Sequence, residues 1–179
     1  DRTVNVKTGG NNLVLKNNKN NTIYVRVLNS GILPVGQEQV VQSNLSAKII
    51  FKNRKGEILD ISKIKQGTEF IAEATITNLQ NDRVENVALS QILPSGFEIE
   101  NTRFTDYGDA TENIANYINI RDDRANFYFD MKSRETKTFK LLLNASYLGN
   151  YYFPGLQCEA MYDHNFLVRT KGFWIEVLK

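Results

Sequence analysis

A short segment near the end of the chain, QCEAMYD, gathers side chains that an enzyme could use for covalent or acid–base chemistry. It holds Cys158 with Glu159 and Tyr162, and His164 follows six residues after the cysteine. A nucleophilic cysteine needs a base within hydrogen-bonding reach, and this spacing across a predicted turn does not establish such a contact. An internal thioester would need glutamine three positions after the cysteine, where Met161 stands. We therefore expect Cys158 to be a small buried hydrophobic residue, and we predict no catalytic residue.

A second candidate is a pair of adjacent carboxylates, Asp122 and Asp123, flanked by Arg121 and Arg124. A calcium site would need several further oxygen ligands, and a glycosidase pair would have to converge from opposite sides of a substrate. Adjacent residues of a strand instead point to opposite faces. These four residues are therefore predicted to form a structural turn or strand edge in which the arginines neutralise the carboxylates.

The composition excludes several classes of function. With one histidine and one cysteine, the chain has no HExxH zinc motif, no multi-histidine site and no cysteine metal cage, so we predict no metal and no cofactor. Its 22 Lys and Arg residues are interspersed with 20 Asp and Glu residues, whereas nucleic-acid-binding proteins cluster their basic side chains. We expect no nucleic-acid partner, no small-molecule substrate and no enzymatic activity, because no acid, base and nucleophile can be assembled.

Alternating apolar and polar residues characterise the elements that must position these side chains. In TEFIAEATITN, the residues Phe70, Ala72, Ala74 and Ile76 share one face, which is typical of a half-buried antiparallel strand. The same alternation recurs in IYVRVL, LSAKIIFK, ANFYFDM, TFKLLLNASY and FWIEVL. Polar turns separate these segments, and LPSGFEIEN and YYFPGLQ carry proline and glycine at strand ends. The sequence therefore predicts an all-β sandwich.

The first 35 residues are predicted to form a short segment of their own. The stretch TGGNNLVLKNNKNNT is rich in Asn and Gly, which suits tight turns between short strands. We predict short β-strands over residues 1–35 and the main sandwich over residues 36–179. The single helical candidate, DATENIANYI, is expected to form no more than one or two turns.

Four ordered motifs resemble those of the C-terminal macroglobulin-like domain of bacterial α2-macroglobulins. They are LPSGFEIEN, INIRDDR followed by an aromatic strand, ETKTFKLLLNASYLGNYYFPGLQCEAMYD, and VRTKGFWIEV. The resemblance covers residues 84–179 strongly and residues 30–83 more loosely, while residues 1–30 resemble the end of the CUB-like segment that precedes this domain in the family. It implies an antiparallel, macroglobulin-like (Ig- or fibronectin-like) β-sandwich with a short N-terminal accessory segment.

The resemblance implies a binding and structural role without catalysis. Bacterial α2-macroglobulins are broad protease inhibitors in which cleavage of a bait region triggers a rearrangement, and a thioester in a separate helical domain captures the protease. The implied partners are therefore the thioester-type domain of the parent chain and, through the full-length protein, target proteases. An extracytoplasmic location is implied as well, in the periplasm or at the cell surface, through a signal peptide or lipid anchor outside this sequence.

The resemblance also implies a role for Tyr162. In thioester-bearing family members, the tyrosine of an MY motif in the last domain leans on the thioester and shields it from water. Met161 and Tyr162 match that motif here, and a phenol suits the task because its ring excludes water while its hydroxyl can form a hydrogen bond. The family continues the motif with Asp-Pro, whereas this chain has Asp163 and His164, so the turn is expected to differ.

Tyr151, Tyr152 and Phe153 form an aromatic run that one face of a strand cannot bury entirely. We predict that part of this run lies in an interdomain surface together with Met161 and Tyr162. A strand buried on both faces is the alternative.

A second class of function is an Ig-like surface module of an adhesin with a structural or binding role. Strand ends of the form LPxGF also occur in such sandwiches. In that case, similar domains would flank the chain in its parent, whereas a macroglobulin would show a bait region and a helical domain upstream.

Overall fold

The computed structural model of this chain describes residue 14 and residues 16–27, 31, 33–100 and 114–179. The chain divides into two compact units, Asp1–Ile32 and Leu33–Lys179. The second unit begins three residues before the predicted start of the sandwich at residue 36.

The described residues of the first unit contain a bend at residues 19–21 and no strand. The Nδ2 amide of Asn17 donates a hydrogen bond to the carbonyl oxygen of Asn21 across this bend, at 2.5 Å. The strand predicted for IYVRVL is therefore not found at its described positions, residues 23–27, and its last position, residue 28, lies outside the described residues. The assignment of this unit to a CUB-like segment stays a prediction.

Thirteen β-strands and no helix make up the described part of the second unit. The strands are β1 Val41–Ser43, β2 Leu45–Lys52, β3 Lys63–Lys65, β4 Glu69–Asn78, β5 Val84–Ile92, β6 Phe97–Ile99, β7 Tyr117–Arg121, β8 Arg124–Met131, β9 Thr136–Ala145, β10 Gly149–Phe153, β11 Gln157–Ala160, β12 Asp163–Arg169 and β13 Phe173–Leu178. Within the described ranges, no helix is long and apolar enough to cross a membrane.

Three sheets are formed by these strands. The six-stranded sheet has the order β1-β12-β11-β5-β8-β7, the four-stranded sheet has the order β2-β4-β9-β6, and the three-stranded sheet has the order β10-β13-β3. Neighbouring strands run antiparallel except β13 and β3, which are parallel. The predicted all-β, antiparallel sandwich is thus confirmed.

One hydrophobic core joins the three sheets. Phe127 and Phe129 of the six-stranded sheet contact Phe139 of the four-stranded sheet, with ring centroids 4.8 and 4.6 Å apart. Phe153 of the three-stranded sheet contacts Phe51 of the four-stranded sheet at 5.4 Å. Aromatic rings at such distances add to the stabilisation that comes from buried apolar area.

Strand β4 shows why the alternation in the sequence becomes a sheet. Phe70, Ala72, Ala74 and Ile76 are fully buried on its inner face, as predicted. On its outer face, Thr75 forms a hydroxyl–hydroxyl hydrogen bond with Thr138 of β9 at 3.1 Å. Such cross-strand pairs reinforce the backbone ladder of an antiparallel sheet.

Two Pro-Gly segments end strands, as the sequence predicts. The backbone N–H of Phe97 donates to the carbonyl of Pro94 at 3.0 Å and closes the turn before β6. At Pro154-Gly155, the chain leaves β10 of the three-stranded sheet and enters β11 of the six-stranded sheet. A Cβ atom on Gly155 would lie 1.9 Å from the carbonyl oxygen of Thr170, so only glycine fits this crossover.

The helical candidate DATENIANYI lies partly outside the described residues. Of its ten positions, residues 109–113 are not described, and β7 begins at Tyr117 within its last turn. No helix is found at its described positions.

Candidate functional site

Met161 and Tyr162 form the turn of the hairpin that joins β11 to β12. Ala160 pairs with Asp163 across this turn. The side chain of Tyr162 is 82% exposed and that of Met161 is 43% exposed. Within the described part of the chain, the Tyr162 hydroxyl makes no hydrogen bond, so the ring and its hydroxyl are both available for contact.

The residues just after the tyrosine fix the shape of this turn. A carboxylate oxygen of Asp163 accepts hydrogen bonds from the backbone N–H of Asn165 at 3.0 Å and from its side-chain amide at 2.8 Å. The register of the β11–β12 pair also shifts between Glu159 and Ala160, from Leu167 to Asp163, which is a bulge-like irregularity. Bulges redirect the strand end and the side chains that follow it.

Cys158 and His164 are not brought together. Cys158 is fully buried and lies opposite Val168 in the β11–β12 pair, whereas His164 is exposed near the start of β12. Burial, with a smaller contribution from the charge of Glu159, raises the pKa of the Cys158 thiol. The thiolate form that would act as a nucleophile is therefore disfavoured, and the prediction that Cys158 is a buried residue is confirmed.

The Asp122-Asp123 pair is the two-residue turn between β7 and β8. Arg121 and Arg124 pair across the base of this hairpin. The Asp123 carboxylate contacts the Arg124 guanidinium at 2.5 Å, and this hydrogen bond is the main reason that the pKa of Asp123 is lowered. The guanidinium of Arg121 donates instead to the side chain of Asn119 at 3.3 Å.

The β7–β8 turn borders a groove of about 680 Å³. Acidic side chains line it, including Glu98 and Glu100, and Glu98 accepts a hydrogen bond from the Tyr147 hydroxyl at 3.2 Å. Among the described residues, no group of His, Cys, Asp and Glu side chains is arranged to hold a metal ion.

The aromatic run on β10 is divided between core and surface. Phe153 is 1% exposed and stacks on Phe173, with centroids 5.5 Å apart. The side chain of Phe153 therefore points into the core, and the prediction that part of this run lies in an interdomain surface stays a prediction. Tyr151 is half-buried, with its ring against Gly96.

Tyr152 lies on the outer side of β10 and is half-buried. Its ring meets Trp174 edge-to-face at 5.4 Å, and its hydroxyl donates to a carboxylate oxygen of Glu38 at 2.7 Å. Burial and then the hydrogen bond to Glu38 raise the pKa of Tyr152 to about 12. An interdomain role for Tyr151 and Tyr152 stays a prediction.

Trp174 is an exposed aromatic residue that the sequence analysis did not single out. Its side chain is 60% exposed on β13, on the face opposite Ile175 and Val177. The alternation in FWIEVL could have predicted this exposure, since it places Trp174 on the face opposite the buried positions.

The antiparallel sandwich with an exposed tyrosine hairpin agrees with the macroglobulin-like class that the sequence motifs imply. A family model described as the bacterial α2-macroglobulin MG10 domain matches residues 34–165. This chain belongs to that family, so the predicted family resemblance is confirmed. Membership also favours a macroglobulin domain over the adhesin module.

Individual relatives agree with this assignment. The α2-macroglobulin of Rickettsia conorii is 29% identical over 151 residues, which are 80% of this chain and only 8% of that protein. The fold is similar to native α2-macroglobulin from Escherichia coli spanning domain MG7 to the C terminus, with a TM-score of 0.72 and 16% identity over 82% of this chain and 25% of that one. It is also similar to a tyrosine-to-glycine mutant of Salmonella α2-macroglobulin, with a TM-score of 0.70 and 18% identity over 79% of this chain and 10% of that one.

Proposed function

We propose that this chain is a non-catalytic C-terminal domain of a bacterial α2-macroglobulin, a broad protease inhibitor. In the resting state, the domain packs against the thioester-type domain of the same parent chain and shields the thioester from water. The observation that carries this proposal is the exposure of Tyr162 at the turn of a short hairpin, with Met161 beside it.

A large aromatic side chain left in water costs free energy. Removing the ring of Tyr162 from water against a neighbouring domain would contribute roughly 2 kcal/mol of favourable transfer free energy. Tyrosine is also enriched among the residues that dominate binding energies at interfaces. A contact through Met161 and Tyr162 would thus both hold the domain in place and exclude water from the bond beneath it.

A structural role fits the remaining chemistry of the domain. The thiol of Cys158 is buried, and His164 is not within reach of it, so the side chains that could catalyse a reaction are separated. Tyr151 and Tyr152 offer a second contact for a neighbouring domain. An extracytoplasmic location and the capture of proteases belong to this proposal as properties of the full-length parent.

The experiment compares Tyr162→Ala and Tyr162→Phe in the full-length parent protein. We expect Tyr162→Ala to raise the rate of reaction with methylamine by about tenfold or more, since a loss of about 1.4 kcal/mol of shielding corresponds to a factor of ten. Tyr162→Phe should give a smaller increase, because it keeps the ring and removes only the hydroxyl. The rate is measured by the appearance of the free thiol.

Tyr147→Ala is the matched control, since Tyr147 is also exposed but lies beside the acidic groove. It should leave the methylamine rate unchanged. If Tyr162→Ala reacts with methylamine and traps protease as the wild-type protein does, the shielding role is wrong.

A further inference from the structure

The structure describes three non-glycine residues with left-handed backbone conformations, and the first two contact the Tyr162 hairpin. They are Asn44, Asn86 and Arg134, with φ angles of 56°, 55° and 55°. A side chain with a Cβ atom disfavours this conformation, so it persists only where surrounding contacts fix it.

One contact holds the β11 side of the hairpin. The backbone N–H of Met161 donates to the carbonyl oxygen of Asn86 at 3.0 Å. The N–H of Asn86 in turn donates to a carboxylate oxygen of Asp130 at 2.9 Å. The other carboxylate oxygen of Asp130 lies 3.3 Å from the guanidinium of Arg83. Asp130 therefore orients the peptide of Asn86, and Asn86 orients the turn.

The left-handed conformation of Asn86 belongs to a bulge in β5. Val84 pairs with Met131 and Val87 pairs with Phe129, so β5 uses three steps where β8 uses two. The hydrogen bond from the Met161 N–H to the Asn86 carbonyl continues the β5–β11 pairing by one residue beyond Ala160 and Val87. The N–H of Asn86 is the main reason that the pKa of Asp130 is lowered, which agrees with a hydrogen bond to the charged carboxylate.

A second contact holds the β12 side. The carbonyl oxygen of Asn165 accepts hydrogen bonds from the Asn44 side-chain amide at 3.0 Å and from the Ser43 hydroxyl at 2.7 Å. The side-chain oxygen of Asn44 accepts from the amide of Gln80 at 2.7 Å. The backbone N–H of Arg134 in turn donates a hydrogen bond to the backbone carbonyl oxygen of Gln80 at 3.1 Å.

We propose that Asp130 and Asn44 are positioning residues that clamp the two sides of the β11–β12 hairpin and so fix the direction of the Tyr162 ring. This inference rests on the proposed shielding role of Tyr162. The hydroxyl of Tyr162 has no hydrogen bond within the described residues, so the ring is aimed only by the backbone on either side of it. A ring that must cover one bond in another domain needs that backbone held, because a small displacement opens the contact to water.

The test uses the full-length parent with Asp130→Ala, Asp130→Asn and Glu85→Ala. Asp130→Ala removes the acceptor for the Asn86 N–H, whereas Asp130→Asn keeps an oxygen acceptor and removes only the charge. Glu85→Ala is the matched control, because the Glu85 carboxylate is the other partner of Arg83 at 3.0 Å and, among the described contacts, forms no hydrogen bond with the backbone of Asn86 or with the hairpin. Asn44→Gly tests the other side, since glycine keeps the left-handed backbone and removes both side-chain hydrogen bonds.

Two measurements are made on each variant. Amide hydrogen exchange of a peptide covering residues 157–165 reports on the clamp itself, and the methylamine rate reports on its consequence. We expect Asp130→Ala and Asn44→Gly to raise the rate of hydrogen exchange and the rate of reaction with methylamine by about tenfold each. An effect of this size corresponds to the loss of one or two hydrogen bonds. Asp130→Asn should restore most of the protection, and Glu85→Ala should match the wild-type protein.

The outcomes separate this inference from the proposed function. If Tyr162→Ala speeds the methylamine reaction while Asp130→Ala and Asn44→Gly change neither measurement, the clamp is wrong and the shielding role stands. If Asp130→Ala and Asn44→Gly speed hydrogen exchange but no variant, including Tyr162→Ala, alters the methylamine rate, the clamp exists but does not serve shielding, and the inference as stated is overturned. Should Asp130→Ala fail to fold, Asn44→Gly decides between these outcomes.

Discussion

At the scale of single residues, the thiol of Cys158 is the group with the greatest intrinsic reactivity, and its position makes it inert. It is fully buried on β11, and burial raises its pKa. We expect the native chain not to react with a thiol reagent such as Ellman's reagent at pH 8, and to release one equivalent after unfolding in denaturant. Reaction of the native chain at the rate of a free thiol would show that β11 opens readily.

Residue-scale patterns were readable from the sequence where the period of two is regular. The inner faces of β4, β8 and β13 follow from alternation alone, and Cys158 falls on the buried side as predicted. Phe153 was harder to place, because three consecutive aromatic residues give the same pattern for either face of β10. The structure resolves this, since Phe153 stacks on Phe173 while Tyr152 points outward to Trp174.

At the scale of elements, a row of charges ties three strands together on the outer face of the four-stranded sheet. Glu73 of β4 is buried and lies 2.6 Å from the ammonium of Lys52 on β2 and 3.3 Å from that of Lys140 on β9. Burial alone would raise the pKa of Glu73, but the hydrogen bonds from Lys52 and Lys140 outweigh it, and the pKa is lowered from 4.5.

This row predicts how stability depends on pH. Because the pKa of Glu73 is lower in the folded chain, its stabilising contribution is present above about pH 4.5 and is lost as the pH falls through the lowered pKa. Glu73→Gln should reduce the free energy of unfolding at pH 7 by roughly 1–3 kcal/mol and weaken its dependence on pH below 5. Chemical denaturation at several pH values measures both effects.

Glu69→Gln provides the comparison for this prediction. Glu69 lies on the same strand and pairs with Arg54 at 2.5 Å, but both side chains are more exposed, so a smaller loss is expected. If Glu69→Gln and Glu73→Gln reduce the free energy of unfolding equally, burial of Glu73 does not strengthen its ion pairs, and the prediction is wrong.

Element-scale features that depend on distant residues could not be predicted from the sequence. Alternation in the sequence predicts no strand at Val84–Ile92, although β5 lies in the six-stranded sheet between β11 and β8. The bulge at Asn86 shifts the alternation of apolar and polar residues along β5 by one position, so the two-residue pattern of a strand is not visible in the sequence. The contacts of Asn44, Asn86 and Asp130 with the hairpin were likewise unreadable, because they exist only once strands far apart in sequence have paired.

At the scale of the whole molecule, the structure predicts that residues 33–179 fold without the first unit. Among the described residues, all members of the core cluster lie between Leu45 and Val177. A shortened protein beginning at Leu33 should therefore unfold cooperatively, with a midpoint within about 3 °C of the full chain, a shift that corresponds to less than about 1 kcal/mol. Differential scanning calorimetry measures this, and loss of the cooperative transition would mean that the first unit is needed for the fold.

The three-stranded sheet has a consequence for how the protein is made. Strand β13 lies between β10 and β3, so neither outer strand can pair until the ribosome has released residues 173–178. During this interval β3 presents an unpaired edge, which other nascent chains could join. The sequence of β3 is Lys-Ile-Lys, and Lys63 and Lys65 are both exposed. Two positive charges on a three-residue strand oppose pairing with a foreign strand, so the edge stays open for β13.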